Sequence, residues 1–142
     1  MSGQPIEVAR NRWGAVLHYP DTHTLELKWF AATRQMTDDD FKATLELYTS
    51  EGERLQPIES GLIDATQFFH TFAGNAALAW RDDHIIPRYN AIGVTKFAFH
   101  VPPDAPGTVE AGSAPTVEGR AAFPTGWFST RERAIEWLSE TR

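Results

Sequence analysis

The sequence predicts a single α/β domain over residues 1–142. Its mixed β-sheet opens with an antiparallel hairpin and continues as βα units with helices packed against it. Three observations carry this expectation. Residues 13–19 and 24–29 alternate apolar and polar side chains with period two, and Pro20-Asp21-Thr22-His23 between them is a turn by composition. Residues 37–52 and 75–92 space their apolar side chains as helices do, and short apolar segments follow each. The run Gly126-Trp127-Phe128-Ser129-Thr130-Arg131-Glu132-Arg133-Ala134-Ile135-Glu136-Trp137-Leu138 reads as a buried strand turning directly into a capped helix.

Each element follows from its residues. Ile6-Glu7-Val8 starts a strand. The next segment sets Trp13, Ala15, Leu17 and Tyr19 on one face, and its partner sets Leu25, Leu27 and Trp29 inward. Together they predict a hairpin buried on one face. Thr37 can cap a helix whose first turn holds Asp38, Asp39 and Asp40, where the helix dipole favours negative charge. Phe41, Leu45 and Tyr48 follow at helical spacing, with Leu47 on the flank and Gly52 as the expected stop. The three aspartates do not read as a metal cluster, because adjacent helical side chains diverge. Residues 61–66 form a short central strand, and Phe68-Phe69-His70-Thr71-Phe72 an aromatic loop. In 75–92, Ala76, Leu78, Ala79, Trp80, Ile85 and Ile86 are apolar, Pro87 kinks the helix or ends a first segment, and Gly93 stops it. Residues 94–101 are a strand with Phe97, Phe99 and Val101 on one face. Residues 102–125 hold Pro102, Pro103, Pro106, Pro115, Pro124, Gly107, Gly112 and Gly119. A segment this long is either a solvated crossover or a lid. In the closing helix, Ser129 or Thr130 caps and Ala134, Ile135, Trp137 and Leu138 pack down.

Composition narrows the function classes. The net charge of −6 opposes binding to phosphate backbones and anionic lipid. The densest basic group, Arg131, Arg133 and Arg142, alternates with Glu132, Glu136 and Glu140 and reads as a solvated helix face, so nucleic acid is not expected. Zero cysteines exclude thiolate chemistry and Cys-based metal sites. There is no apolar run long enough to span a membrane and no leader pattern in Met1–Pro5, so a cytoplasmic location is expected.

Several stretches share a family signature: a strand ending in Asp64, a helix with Trp80 and Ile86-Pro87-Arg88, Gly93-Val94-Thr95-Lys96-Phe97-Ala98, Val101-Pro102, and the closing run from Trp127 to Leu138. Over roughly residues 14 to 140 the element order resembles SpoIIAA-like, STAS-type domains, including bacterial members described as STAS/SEC14-like. The resemblance implies a mixed sheet of roughly four or five strands flanked by helices. In anti-sigma-factor antagonists of this superfamily, a phosphorylatable serine lies in an Asp-Ser-Ser-Gly-like turn before a helix. The matching place is Thr71-Phe72-Ala73-Gly74, which keeps the glycine and lacks the serine. Thr66 and Thr71 are the nearby hydroxyls, and neither stands against the glycine, so the phospho-switch is not expected.

Candidate binding residues come from position and type. Parallel strands present ligands at their carboxyl ends, which places Thr66 and His100 beside the loop of Phe68, Phe69, His70 and Phe72. These rings either close the core or line a pocket. Trp80, His84 and Arg88 recur at i, i+4, i+8 and share a helix face, either as packing with snorkelling polar tips or as a binding surface. His70, His84 and His100 with Asp64 or Asp83 lack metal-site spacing, and no metal or cofactor is expected. Asp82-Asp83 diverge on a helix, no Gly-x-Ser-x-Gly elbow or phosphate-cradling glycine motif is present, and Ser60, Ser113 and Ser129 sit in unsuitable contexts. No catalytic residue is assigned, and histidine-based hydrolysis is the weakest reading. The expected function is a non-enzymatic regulatory or protein-interaction module acting as a homodimer or with a protein partner, which the tryptophans Trp13, Trp29, Trp80, Trp127 and Trp137 favour. The alternative is a small-molecule or lipid-binding module taking a small apolar or anionic ligand. Its aromatic pocket would lie at the strand ends under the 102–125 segment.

Overall fold

The computed structural model describes residues 4–140. Strands β1 (Ile6–Arg10), β2 (Gly14–Tyr19) and β3 (Thr24–Trp29) form an antiparallel meander, with Val16 opposite Leu27 in the β2–β3 hairpin. Helix α1 (Asp38–Arg54) then leads to β4 (Ser60–Asp64), and α2 (Ala76–His84) and α3 (Ile86–Ala91) lead to β5 (Lys96–His100). The two-residue β6 (Thr116–Val117) precedes β7 (Pro124–Phe128), and α4 (Arg131–Ser139) follows. Among the described residues these make one seven-stranded sheet in the order β1-β2-β3-β4-β5-β7-β6, wider than the resemblance implies. β3, β4, β5 and β7 run parallel, while the remaining pairs are antiparallel.

The helices form where local chemistry starts them. Thr37 and Asp40 make a reciprocal capping box: the Asp40 amide donates to Thr37 Oγ1 at 3.2 Å and the Thr37 amide to Asp40 Oδ2 at 3.0 Å. The Thr37 donors hold the Asp40 carboxyl below its usual range. Thr130 caps α4 by accepting from the Arg133 amide. Gly52 does not end α1, which runs on to Arg54. It is buried, and a Cβ there would stand 3.0 Å from Ile92 Cδ1, so it allows α1 to lie close to the segment after α3. The helical stretch expected over 75–92, with Pro87 either kinking it or ending a first segment, is two helices that meet at Ile85. Pro87 lies in the first turn of α3, where a missing N–H breaks no helical bond. Gly93, at φ +97°, ends the pair.

Strand register sorts side chains into two faces. Leu27, Ile63, Phe99 and Trp127 form one row across β3, β4, β5 and β7, and Leu25, Gly61, Phe97 and Thr125 form the next. On this face α1, α2 and α3 cover the main core, which includes Trp29, Phe41, Leu45, Tyr48, Ile85, Tyr89 and Phe123. The opposite face carries Glu26, Leu62, Ala98 and Gly126 in one row and Lys28, Asp64, His100 and Phe128 in the next. There α4 sets Ala134 on Leu62, Ala98 and Phe128, with Ile135, Trp137 and Leu138 around them. The Trp137 ring lies 5.5 Å from that of Phe128.

The hairpin is not buried on one face alone: register sets Ala15, Leu17 and Tyr19 against Lys28, Glu26 and Thr24 on the α4 face, whereas Leu25, Leu27 and Trp29 lie on the other face with Val16 and His18. Glu26, expected on a wet face, is only 1% exposed. Arg131 closes over it with Nη1–Oε2 at 2.7 Å and Nη2–Oε1 at 2.8 Å, and Tyr19 donates its hydroxyl to Glu26 Oε1 at 2.8 Å. So Arg131 belongs to a partly buried ion pair and not to a solvated helix face; Arg142 of that basic cluster lies outside the described residues. At the other end of α4, Lys96 Nζ donates to the carbonyls of Trp137 and Glu140, both at 2.8 Å, a cation where the helix dipole is negative.

Residues 102–125 are not a uniform loop. Their first half packs Val109 into the α4 cluster and ties its amide to the Trp127 carbonyl at 2.8 Å. Their second half adds edge strand β6 and then buries Phe123 in the main core. The segment thus wraps around the β7 edge and touches both layers. Among the described residues, no helix is long and apolar enough to cross a membrane.

Candidate functional site

A cleft of about 430 Å³ opens on the face covered by α1–α3. The two sheet rows supply its floor: Ile63, Phe97, Phe99, Thr125 and Trp127. Trp29, Phe41 and Leu45 form its inner end, Ile86 and Tyr89 its helical wall, and Phe123 its far wall. The rings are ordered: Phe99 and Trp127 stack at 5.5 Å and 11°, and Phe97 stacks on Phe123 at 5.9 Å and on Tyr89 at 5.1 Å. Burial at the back of the cleft pushes the Tyr89 hydroxyl's pKa up.

The rim is polar. Arg81, Asp82 and Glu118 line the cleft beside Gly119 and Ala121. Arg81 Nη2 donates to Asp82 Oδ1 at 3.2 Å, whereas its Nε is buried and has no hydrogen-bond partner. A strap of residues 118–123 forms the outer border. Asn90 of α3 clamps it twice: Nδ2 donates to the Arg120 carbonyl and Oδ1 accepts from the Ala122 amide, both at 2.8 Å. Arg120 also pairs with Asp83 of α2 at 3.2 Å. The end of the 102–125 segment thus borders a pocket, while its first half lies elsewhere.

The residues singled out from sequence fall in three other places. Phe68 and Phe72 pack edge-on against Trp29 and Phe41 at 4.9 Å each, on the outer side of the core. Phe69 is 39% exposed, under the Arg34 guanidinium at 4.6 Å. His70 Nε2 lies 2.7 Å from Asp38 Oδ1, and the Ala73 amide donates to the same carboxylate, so this loop is tied to the start of α1. Trp80, His84 and Arg88 do share a face. It is turned towards α1, where Lys42 Nζ stands 5.8 Å from the Trp80 ring and Arg88 forks onto both Glu46 and Glu53. Those carboxylates raise the Arg88 pKa, and Arg88 lowers theirs.

Thr66 and His100 do meet, through Asp64. Asp64 and His100 are register partners at the ends of parallel β4 and β5. Thr66 Oγ1 donates to Asp64 Oδ1 at 2.7 Å, and His100 Nδ1 lies 3.9 Å from the same oxygen, buried and without a hydrogen-bond partner. This group is on the α4 face, so the sheet separates it from the cleft, and neither Thr66 nor His100 lines the cavity. Among the described residues, no three His, Asp or Glu side chains are grouped to hold a metal ion.

Sequence reasoning missed Arg81, Phe97, Phe99, Phe123 and Trp127 as site residues. One signal was available: Phe97 and Phe99 alternate, and so do Thr125 and Trp127, which puts four side chains on one face of neighbouring strands. Nothing local reveals that α2 and α3 leave that face incompletely filled. Comparison of the chain with protein-family models, with curated proteins and with solved structures returns no match.

Proposed function

We propose that the chain is a non-enzymatic, STAS-like regulatory module that binds a small, flat, largely apolar molecule in the cleft between α2–α3 and the β5–β7 part of the sheet. The cleft itself carries this reading. It is open to solvent and not an interior void; what sets it apart from the cleft of about 470 Å³ beside α4 is its aromatic lining, and its volume of about 430 Å³ falls within the size range of small-ligand pockets. Ordered rings such as Phe99 and Trp127 offer flat apolar surface with little side-chain freedom left to lose. The polar groups of the cleft, Arg81, Asp82 and Glu118 at its rim with Thr125 on its floor and the Tyr89 hydroxyl in its wall, do not make a nucleophile–base pair. The turn Thr71-Phe72-Ala73-Gly74 lacks a serine, which favours control by ligand over control by phosphorylation. In this reading the 118–123 strap reports occupancy to a protein partner or a second copy of the chain.

The test uses 2-naphthol, a neutral probe of about eleven heavy atoms. At roughly 0.5 kcal/mol per atom it binds with a Kd on the order of 0.1 mM. Calorimetric titration should saturate for the natural sequence, and Thr125→Phe, which fills the floor, should weaken binding at least tenfold without lowering the melting temperature. Non-saturable binding, or equal binding by the filled variant, would overturn the reading.

A further inference from the structure

We infer that the ligand of this cleft is a planar carboxylic acid, held through its carboxylate by the Nε–Nη2 edge of Arg81. The inference rests on the ligand-binding reading above and adds the chemical class. The cleft offers flat apolar walls and one cationic side chain, Arg81, among its described lining residues. The Nε donor of Arg81 is cut off from water and unpaired, an arrangement that folded proteins seldom leave in place. The neighbouring donor Nη2 has only an adjacent-residue partner, Asp82, at 3.2 Å. That carboxylate is 51% exposed, so water can take it over when it leaves.

Nε–H and Nη2–H of a guanidinium point the same way and are spaced to meet the two oxygens of one carboxylate. The Arg81 side chain is about a third exposed, so a small turn of the guanidinium presents this edge to the cleft as Asp82 swings out. In the free protein Asp82 is the anion on Arg81; in the complex the ligand takes its place. A primary amide of the same shape fits poorly, because its N–H₂ group would face one of the two donors. A neutral ring gains only the walls.

The experiment compares 2-naphthoate, 2-naphthamide and 2-naphthol by calorimetry at neutral pH. For the natural sequence, naphthoate should bind at least tenfold more tightly than naphthamide. Arg81→Met should bring the two to within about twofold. Arg81→Lys, which keeps the charge and loses the fork, should restore only part of the preference. Asp82→Asn, which removes the competing carboxylate, should tighten naphthoate a few-fold and widen its preference over naphthamide. Equal binding of naphthoate and naphthamide beside intact naphthol binding would overturn the carboxylate assignment and spare the cleft. So would a preference that survives in Arg81→Met. Failure of all three probes to bind would overturn the ligand-binding reading itself.

Discussion

The two faces of the sheet solve the same covering problem with opposite chemistry. On the α4 face a short helix is locked at both ends by charge: Arg131 on buried Glu26 at its start, Lys96 on the Trp137 and Glu140 carbonyls at its finish. Small residues, Ala98, Gly126 and Ala134, let the layers approach closely beneath it. On the other face three helices meet the sheet through large rings, and the rings leave a cleft. Wide aromatic side chains on a twisted sheet cannot be tiled without gaps by two short helices that break at Ile85. Each face keeps a cleft: the one under α4, about 470 Å³ beside Thr24, Ser60, Lys96 and Leu138, has no ring in its lining, whereas the one of about 430 Å³ on the other face is walled by aromatic rings. Substitutions that strike one face and spare the other test this division.

The largest effect should come from the α4 face. Arg131→Met leaves the Glu26 carboxylate buried without its cation and should lower stability by about 3–5 kcal/mol. Denaturant unfolding measures this. Adding Glu26→Leu to that variant should recover most of the loss, and 2-naphthol affinity should stay within about twofold in whichever variants fold.

Two glycines give a matched pair with smaller effects. A Cβ on Gly61 would overlap the Phe97 ring, and one on Gly126 would stand 2.9 Å from Phe128 Cε1. Each alanine substitution should cost about 1–3 kcal/mol through overpacking. Gly61→Ala should also weaken naphthol binding, because it displaces Phe97, whose ring lines the cleft. Gly126→Ala should not. Equal binding losses in both would erase the distinction between the faces.

The tyrosines report the faces separately at high pH. Burial, then the Glu26 carboxylate, pushes the Tyr19 hydroxyl up to about 12, and burial drives Tyr48 and Tyr89 on the cleft face up as well. A hydroxyl whose folded pKa is raised contributes stability that is whole below the unfolded value near 10. That contribution is lost as pH climbs from there through about 12. Tyrosinate absorbance should therefore be absent from the folded protein at pH 10. Tyr19 should titrate first, and Tyr19→Phe should delete that earliest step.

The smallest effect concerns the strap. Asn90→Ala removes two hydrogen bonds at a largely exposed site and should cost about 1 kcal/mol. Probe dissociation should quicken a few-fold in stopped-flow displacement, with little change in association.

What could be read from the sequence was what lies close along it. The Thr37 cap was legible and gains a reciprocal partner in Asp40, and of Ser129 and Thr130 it is Thr130 that caps α4; each acts within four residues. Alternation placed Leu25, Leu27 and Trp29 inward, and Asp64 and His100 do end neighbouring parallel strands. What stayed hidden depends on distant partners. Glu26 looks like an ordinary strand exterior until Arg131, 105 residues later, folds onto it. Gly61 looks like any small residue in a strand until Phe97 lies across it. Phe68, His70 and Phe72 could be read either as core or as pocket because aromatic side chains at strand ends serve both packing and binding, and the choice depends on Asp38 and Phe41, supplied by α1.

The most direct test of the central claim is a ¹⁵N-resolved titration with 2-naphthol that maps shift changes onto both faces of the sheet. The account predicts saturable shifts at Phe97, Phe99, Phe123 and Trp127, with Glu26, Leu62 and Ala134 unmoved. Shifts centred on Asp64, His100 and the α4 face, or none that saturate, would contradict it.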